Sequence, residues 1–211
     1  MLKYNFIAIE GNIGAGKTTL ASRIAHDFNA KLILEQFEDN PFLPKFYKEP
    51  DKYAFPLEMS FLAARFQQLK DELGARDLFK SFTVSDYFII KSLIFARKTL
   101  AEDEYTLYTR FFNIIYNQLP RPDLLVYLHL EVPKLQNNIR LRGRPYEQEI
   151  TDEYLDKIQS GYFDFIRHQH NLRILILDTN NLDFVKYESD YNRIIEVLKK
   201  DYSSGIHRIT F

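Results

Sequence analysis

Gly11, Gly16, Lys17 and Thr18 fill the spacing G-x-x-x-x-G-K-[ST] inside YNFIAIEGNIGAGKTTL, residues 4 to 20. Glycines let a backbone turn tightly and aim successive N–H groups at one anion, and a helix starting near Lys17 adds its positive dipole end. The stretch Gly11, Asn12, Ile13, Gly14, Ala15, Gly16, Lys17, Thr18 and Thr19 is therefore expected to cradle phosphate. Lys17 would neutralise the β- and γ-phosphates as a point charge, and the Thr18 hydroxyl would ligate a Mg²⁺ bridging them. The apolar run before the motif and the helix-forming segment after it supply the strand-to-helix context the motif requires. That context weighs against a chance Lys-Thr after a glycine-rich turn.

Other residues carry chemistry beside it. Glu35 ends the short β-rich run KLILE, and an acid at the carboxyl end of a parallel strand faces the ligand crevice, unless it is an ordinary strand-end carboxylate. Asp86 ends FTVSDY in the same way and would support magnesium, or cap a helix. Arg140, Arg142 and Arg144 surround Gly143 just before Pro145, a basic, hinged segment suited to stabilising charge on a transferring phosphoryl group; a solvated basic helix end is the bland alternative. Glu58 and Arg65, seven apart, share nearly one helix face beside an apolar stripe and are either a structural pair or a ligand-reading pair.

The elements that must position these groups read as an α/β alternation. Expected strands are the run before Gly11, then 31 to 35, 82 to 87, RPDLLVYLHL, and LRILILD at 172 to 178, five in all. Expected helices cover about 17 to 28, 54 to 73 with Pro56 near its start, YFIIKSLIFA at 87 to 96, 103 to 119, Pro133 to the arginines, 151 to 166 behind an N-cap Thr151, and 183 to 200. Leu107, Phe111, Ile114 and Ile115 give the 103 to 119 helix a broad apolar face needing a partner helix, within the chain or across a dimer. The tail GIHRITF reads as an edge strand or as disorder.

A chain of 211 residues, 45% hydrophobic, buries a substantial core as one domain, and a formal net charge of -1 suggests neither nucleic acid nor an anionic membrane as partner. There is no cysteine, hence no disulfide framework, and His168 and His170, two apart, do not share a helix face. No apolar run approaches the ~20 residues of a membrane span, and the amino terminus runs straight into the first strand, so a cytoplasmic location is expected.

With these pieces in place, the chain resembles the deoxynucleoside kinases, P-loop enzymes that phosphorylate the 5′-hydroxyl of deoxynucleosides, over nearly its whole length. GNIGAGKTT is similar to that family's phosphate loop, and LRGRPYEQ at 141 to 148 to its arginine-bearing lid. The resemblance implies a single-domain α/β P-loop kinase, a five-stranded parallel sheet flanked by helices with a lid at about 140 to 150, using ATP and Mg²⁺. It implies Glu35 as general base, Lys17, Arg142, Arg144 and Asp86 as catalytic partners, and Arg65 near the base and nucleobase. FYKEP at 46 to 50 matches a segment whose tyrosine, here Tyr47, binds the sugar 3′-hydroxyl together with a lid glutamate, here Glu147. LDTNNLDF at 177 to 184 is similar to the loop holding the donor adenine, which brings in Asp178 and Phe184. A homodimer is implied as well.

The chain also departs from the family. An acid-Arg-Ser triplet usually follows strand three, whereas this chain has Ser85-Asp86-Tyr87, so Asp86 aligns either with the arginine or, after a one-residue slide, with the acid. Glu58 stands where a glutamine commonly reads the base, and Lys91 where an aspartate often assists. An ionised Glu58 only accepts hydrogen bonds, which suits the N1–H and N2–H₂ edge of guanine and predicts a modest purine preference with deoxyguanosine ahead. Two other readings stay open: a nucleoside monophosphate kinase of the thymidylate kinase type, with Lys91 or Arg65 receiving the acceptor phosphate, and a catalytically reduced nucleotide-binding partner subunit. No N-K-x-D motif supports a GTPase switch.

Overall fold

Strand β1, Phe6–Gly11, is buried at every position, the signature of a parallel strand covered on both faces. The structure is a computed structural model and describes residues 3–36, 40–74 and 77–211. Five further strands follow: β2 Lys31–Ile33, β3 Thr83–Ser85, β4 Leu124–His129, β5 Arg173–Asp178 and β6 Gly205–Thr210. They form one sheet in the order β2-β3-β1-β4-β5-β6, with every neighbouring pair parallel.

The sheet therefore has six strands, not the five expected. The tail pairs with β5 from Arg173↔Gly205 to Asp178↔Thr210, while Ile209 and Phe211 pack on the core. Its alternation of half-buried and exposed positions is that of an edge strand.

The chain divides into two compact units. Met1–Leu34, Leu78–Tyr87 and Pro122–Phe211 hold all six strands; Glu35–Asp77 and Phe88–Arg121 form the second. In the sheet unit the crossover helices are α1 Lys17–Asp27, α6 Val132–Arg142, α7 Asp152–Arg167 and α8 Glu188–Leu198. Leu20 and Ile24 of α1, Leu135 and Ile139 of α6, Leu155 of α7, and Ile194 and Leu198 of α8 join Ile7, Ile9, Val126, Leu128, Leu175 and Leu177 in one buried core. Helix α7 starts as expected, Thr151 Oγ1 accepting from Tyr154 N at 3.2 Å. Helix α8 begins at Glu188 rather than 183 because Asp183 closes a turn first: Lys186 N donates to its carboxylate at 3.0 Å and Tyr187 N to its carbonyl at 2.8 Å.

The second unit consists of α2 Leu43–Lys48, α3 Pro50–Leu73, α4 Ile90–Thr99 and α5 Glu102–Tyr116. Helix α3 begins four residues before the expected start. Pro50 occupies the first turn, where a missing N–H costs nothing, and Pro56 lies inside the helix. On α5, Tyr108 and Phe112 are buried, whereas Leu107, Phe111 and Ile114 are exposed, so the apolar face is wider than the chain covers. No helix among the described residues is long and apolar enough to cross a membrane.

Helix α7 also anchors the chain around the end of β1. Tyr162 donates its hydroxyl to fully buried Glu10 at 2.7 Å, and Asn12 Nδ2 donates to Leu155 O at 2.8 Å. Phenylalanine at 162 would withdraw a donor from a carboxyl with no access to water. Tyr162→Phe is expected to destabilise the protein by about 1 to 3 kcal/mol in denaturant titrations.

Candidate active site

The sheet unit holds the phosphate-loop constellation. Gly14 and Gly16 take positive φ values of 83° and 86°, and a Cβ would lie 2.7 Å from Leu135 O at Gly14 and 2.7 Å from the Phe184 ring at Gly16. Both positions therefore require glycine on conformational and steric grounds. Gly16 caps α1 with no side-chain hydrogen bond, and no acid sits in the first turn. The N–H groups at the start of a helix have no intrahelical partner, so Lys17, Thr18 and Thr19 begin a helix ready for an anion.

The loop is braced from several sides. Asn12 Oδ1 accepts from Ile13 N at 2.9 Å, Ala15 N donates to Asn12 O at 3.2 Å, and Asn138 of α6 donates to Gly14 O at 2.8 Å. The Lys17 ammonium donates to Asn12 O at 2.8 Å, which folds it back over the loop.

Asp86, directly after β3, accepts from the Thr18 hydroxyl at 2.5 Å. It does not cap α4, whose N-cap is Ile89. The structure thus brings together the two groups expected to hold magnesium. Among the described residues no cluster of three or more His, Cys, Asp or Glu could hold a metal ion. One carboxylate and one hydroxyl suit Mg²⁺, which binds through few protein oxygens and completes its shell with phosphate and water.

Helix α6 ends at Gly143, its left-handed C-cap (φ 70°), and a short 3-10 turn spans Pro145–Glu147. Arg142 and Arg144 both pair with buried Glu147, the latter at 3.4 Å, while Arg140 is exposed. Glu147, expected at a sugar hydroxyl, is thus the group that gathers the two arginines. At the end of β5, Asp178 accepts from Asn180 Nδ2 at 2.8 Å. Phe184 is buried, its ring against Gly16 and its carbonyl accepting from Arg23 of α1 at 3.0 Å.

The helical unit holds the second constellation. Glu35 Oε1 accepts from Arg65 Nε at 2.9 Å and a terminal guanidinium nitrogen at 2.7 Å; Oε2 accepts from Lys91 at 2.5 Å. Burial alone would raise the Glu35 carboxyl, but the Lys91 ammonium and Arg65 guanidinium overcome it and hold the group at about 2. Arg65 extends to Ser92 Oγ at 2.8 Å. Glu58 is 4% exposed; its Oε1 accepts from the Thr99 hydroxyl at 2.9 Å and its Oε2 is buried with no hydrogen-bond partner among the described residues. Burial pushes Glu58 up to about 7, against the pull of Arg65, the Thr99 bond and Lys91. Arg65 is therefore bonded to Glu35 and only faces Glu58. Tyr47 lies on α2, and its side chain is outside the described residues.

Sequence reasoning did not single out Asn138, Ser92 or Thr99. Lys91 and Thr99 are eight apart on α4, so helical spacing alone places them on one face, as it does Glu58 and Arg65 on α3.

A family model described as deoxynucleoside kinase matches residues 7–202. The chain belongs to the deoxynucleoside kinase family. It is 38% identical over 199 residues to a deoxyguanosine kinase of Bacillus subtilis, covering 92% of this chain and 96% of that one. It is 31% identical over 204 residues to a deoxyadenosine kinase of Dictyostelium discoideum, covering 96% and 81%. A solved deoxyadenosine kinase from M. mycoides, with dCMP and dCDP bound, superposes with a TM-score of 0.78 at 25% identity, covering 92% of this chain and 98% of that one. The kinase is thus a phosphotransferase with an alcohol acceptor on the P-loop kinase fold, and of the readings left open by the sequence this is the one that stands.

The raised Glu58 carboxyl sets a stability prediction. A group whose folded value exceeds its unfolded one adds stability that is complete below the unfolded value, near 4.5, and is lost as pH rises through the folded value, about 7. Glutamine does not titrate. The stability of the wild type relative to Glu58→Gln is expected to fall by up to about 3 kcal/mol across that window, as read from urea unfolding at a series of pH values.

Proposed function

We propose that the kinase transfers the γ-phosphoryl group of ATP to the 5′-hydroxyl of a deoxynucleoside, favouring purines with deoxyguanosine modestly ahead, in cytoplasmic nucleotide salvage. The observation that carries the chemistry is Glu35, two residues after the end of β2, ionised and fixed between Arg65 and Lys91. A carboxylate held at about 2 is a weak proton acceptor toward a free alcohol. In a loose phosphoryl-transfer transition state, however, the alcohol proton becomes acidic only as the new O–P bond forms, and positioning dominates catalysis. Glu35 therefore orients the hydroxyl first and receives its proton late. The hydroxyl would share or displace the Lys91 contact, the single bond of the clamp.

On the donor side the Gly11–Thr19 loop binds the phosphates, and Lys17 exchanges its bond to Asn12 O for phosphate oxygens. Thr18 and Asp86 would hold Mg²⁺, which would supply charge neutralisation on the donor phosphates. Arg142 and Arg144, gathered by Glu147, answer charge on the transferring group, in a segment about 140 to 150 that acts as a lid. Asp178 and Phe184 border the donor base, and Tyr47 with Glu147 would hold the acceptor's 3′-hydroxyl. A single domain and a homodimer complete the reading, with the exposed Leu107, Phe111 and Ile114 on α5 in support of the latter. The purine preference is supported by the names of the Bacillus subtilis and Dictyostelium discoideum relatives.

A panel of deoxynucleosides and their monophosphates with ATP tests the assignment: deoxynucleosides should be converted, purines fastest, and monophosphates not. Lys17→Ala and Glu35→Gln should each cost about 10²-fold or more in turnover, the former also weakening ATP binding and the latter leaving it intact. Near-normal turnover by Glu35→Gln would remove it from the reaction. Tyr47→Phe should chiefly raise the acceptor KM, by the equivalent of about 1 to 3 kcal/mol; a wild type that uses 3′-deoxy acceptors as well as normal ones contradicts that role.

A further inference from the structure

A buried carboxyl with one oxygen satisfied and the other not is an unfinished hydrogen-bonding arrangement. Glu58 presents one on α3, in the helical unit that also holds Glu35. The Thr99 hydroxyl donates to Oε1, which fixes that oxygen as an acceptor and leaves Oε2 as the atom that gains or loses the proton. The two nearby cations do not decide its charge, because both are bonded to Glu35: Arg65 on the same helix and Lys91 on α4.

Other titratable groups act on it more weakly or face elsewhere. Tyr108 on α5 feels the Glu58 charge, and its hydroxyl is pushed well up, mainly by burial, so it stays neutral. On α2, Lys45 lies over the Phe42 and Tyr53 rings and Lys48 is exposed. Asp51 of α3 and Asp103 and Glu104 of α5 line an open cavity of about 390 Å³ with Ala54, Thr99 and Ala101, so the carboxylates nearest the Thr99 end are solvated.

Given a deoxynucleoside acceptor as proposed above, we infer that Glu58 reads the purine through its own protonation state. With the proton on Oε2, the group donates to adenine N1 while Oε1 accepts from the N6 amino group. Without it, both oxygens accept, and the N1–H and N2–H₂ edge of guanine is the complement. Each state rejects the other base, since the mismatch sets acceptor against acceptor or donor against donor in a dry site. With burial holding the carboxyl near 7, both forms are populated around neutral pH.

The inference deepens the proposed reading, and its test separates the two. Deoxyguanosine and deoxyadenosine compete in one tube with ATP, so the product ratio reports relative kcat/KM and cancels pH effects common to both. Neither base changes its own protonation between about pH 5.5 and about pH 8.5, a window that brackets the Glu58 transition. The wild-type ratio of guanine to adenine product should rise by about tenfold across it, the equivalent of one buried hydrogen-bond mismatch. Glu58→Gln should give a ratio that does not vary with pH. Thr99→Val keeps the carboxyl but removes the bond favouring its charged form, so its transition should move to higher pH. A merely structural carboxyl would leave all three profiles flat. A flat wild-type ratio with both products formed overturns the inference and leaves the kinase reading standing. A pH-dependent ratio that survives in Glu58→Gln assigns the effect to another group and also overturns it. Failure to phosphorylate either purine deoxynucleoside overturns both.

Discussion

A carboxylate removed from water must have its charge answered, and Glu35 is answered by two cations at once. Arg65 takes one oxygen with two nitrogens and Lys91 takes the other, so the charge persists where burial alone would extinguish it. The remainder of the helical unit follows from that contact. Arg65 donates a further hydrogen bond to Ser92 Oγ, and because the cations are committed to Glu35, neighbouring Glu58 is left with a hydroxyl and, among the described residues, no ion pair. Two acids a short distance apart in sequence thus behave oppositely, one fixed as an anion and one poised near neutrality. A group that must not change charge and a group able to do so are obtained from one residue type by assigning the available cations unequally.

The sheet unit solves a different electrostatic problem by avoiding side-chain charge. Its candidate anion site is backbone: glycine-imposed turns, a helix start without a side-chain cap, the Ile13 N–H held by Asn12 Oδ1 and the Gly14 carbonyl held by Asn138. Charged side chains enter at the periphery, Lys17 against Asn12 O and Asp86 against Thr18. Rigid dipoles need no reorganisation when a phosphate arrives, whereas the lysine and the arginines gathered by Glu147 can be redeployed.

Much of this was legible in the residues. The phosphate loop announces itself because its chemistry is local: Gly11 to Thr18 are contiguous, and their spacing dictates the backbone. The strands were readable as apolar runs, and the acids at their ends as crevice residues. What spacing could not supply was partnership. Glu58 and Arg65 share a face of α3, yet the hydrogen bonds of Arg65 go to Glu35, thirty positions earlier, and that choice depends on how α3 and α4 pack. The sixth strand was half legible, since GIHRIT alternates weakly and its order comes from the full ladder along β5 rather than from propensity. Pro56 misled for a related reason: a proline near a helix start is the usual reading, and only Pro50 in the true first turn shows otherwise.

The order of strands has a consequence for how the chain is made. β1 pairs on one side with β3 and on the other with β4, whose residues begin at Leu124. During synthesis β1 and its glycine-rich turn precede both partners: β1 has no neighbour until β3, Thr83–Ser85, has left the ribosome, and one edge stays open until β4 follows, more than halfway along the 211 residues. Pairings this distant in sequence are slow to close, and an unpaired apolar strand invites association with other nascent chains. The segment whose Gly14 and Gly16 admit no side chain therefore waits for partners made later, and heterologous production is expected to respond more to chaperone supply and translation rate than to the stability of the finished fold.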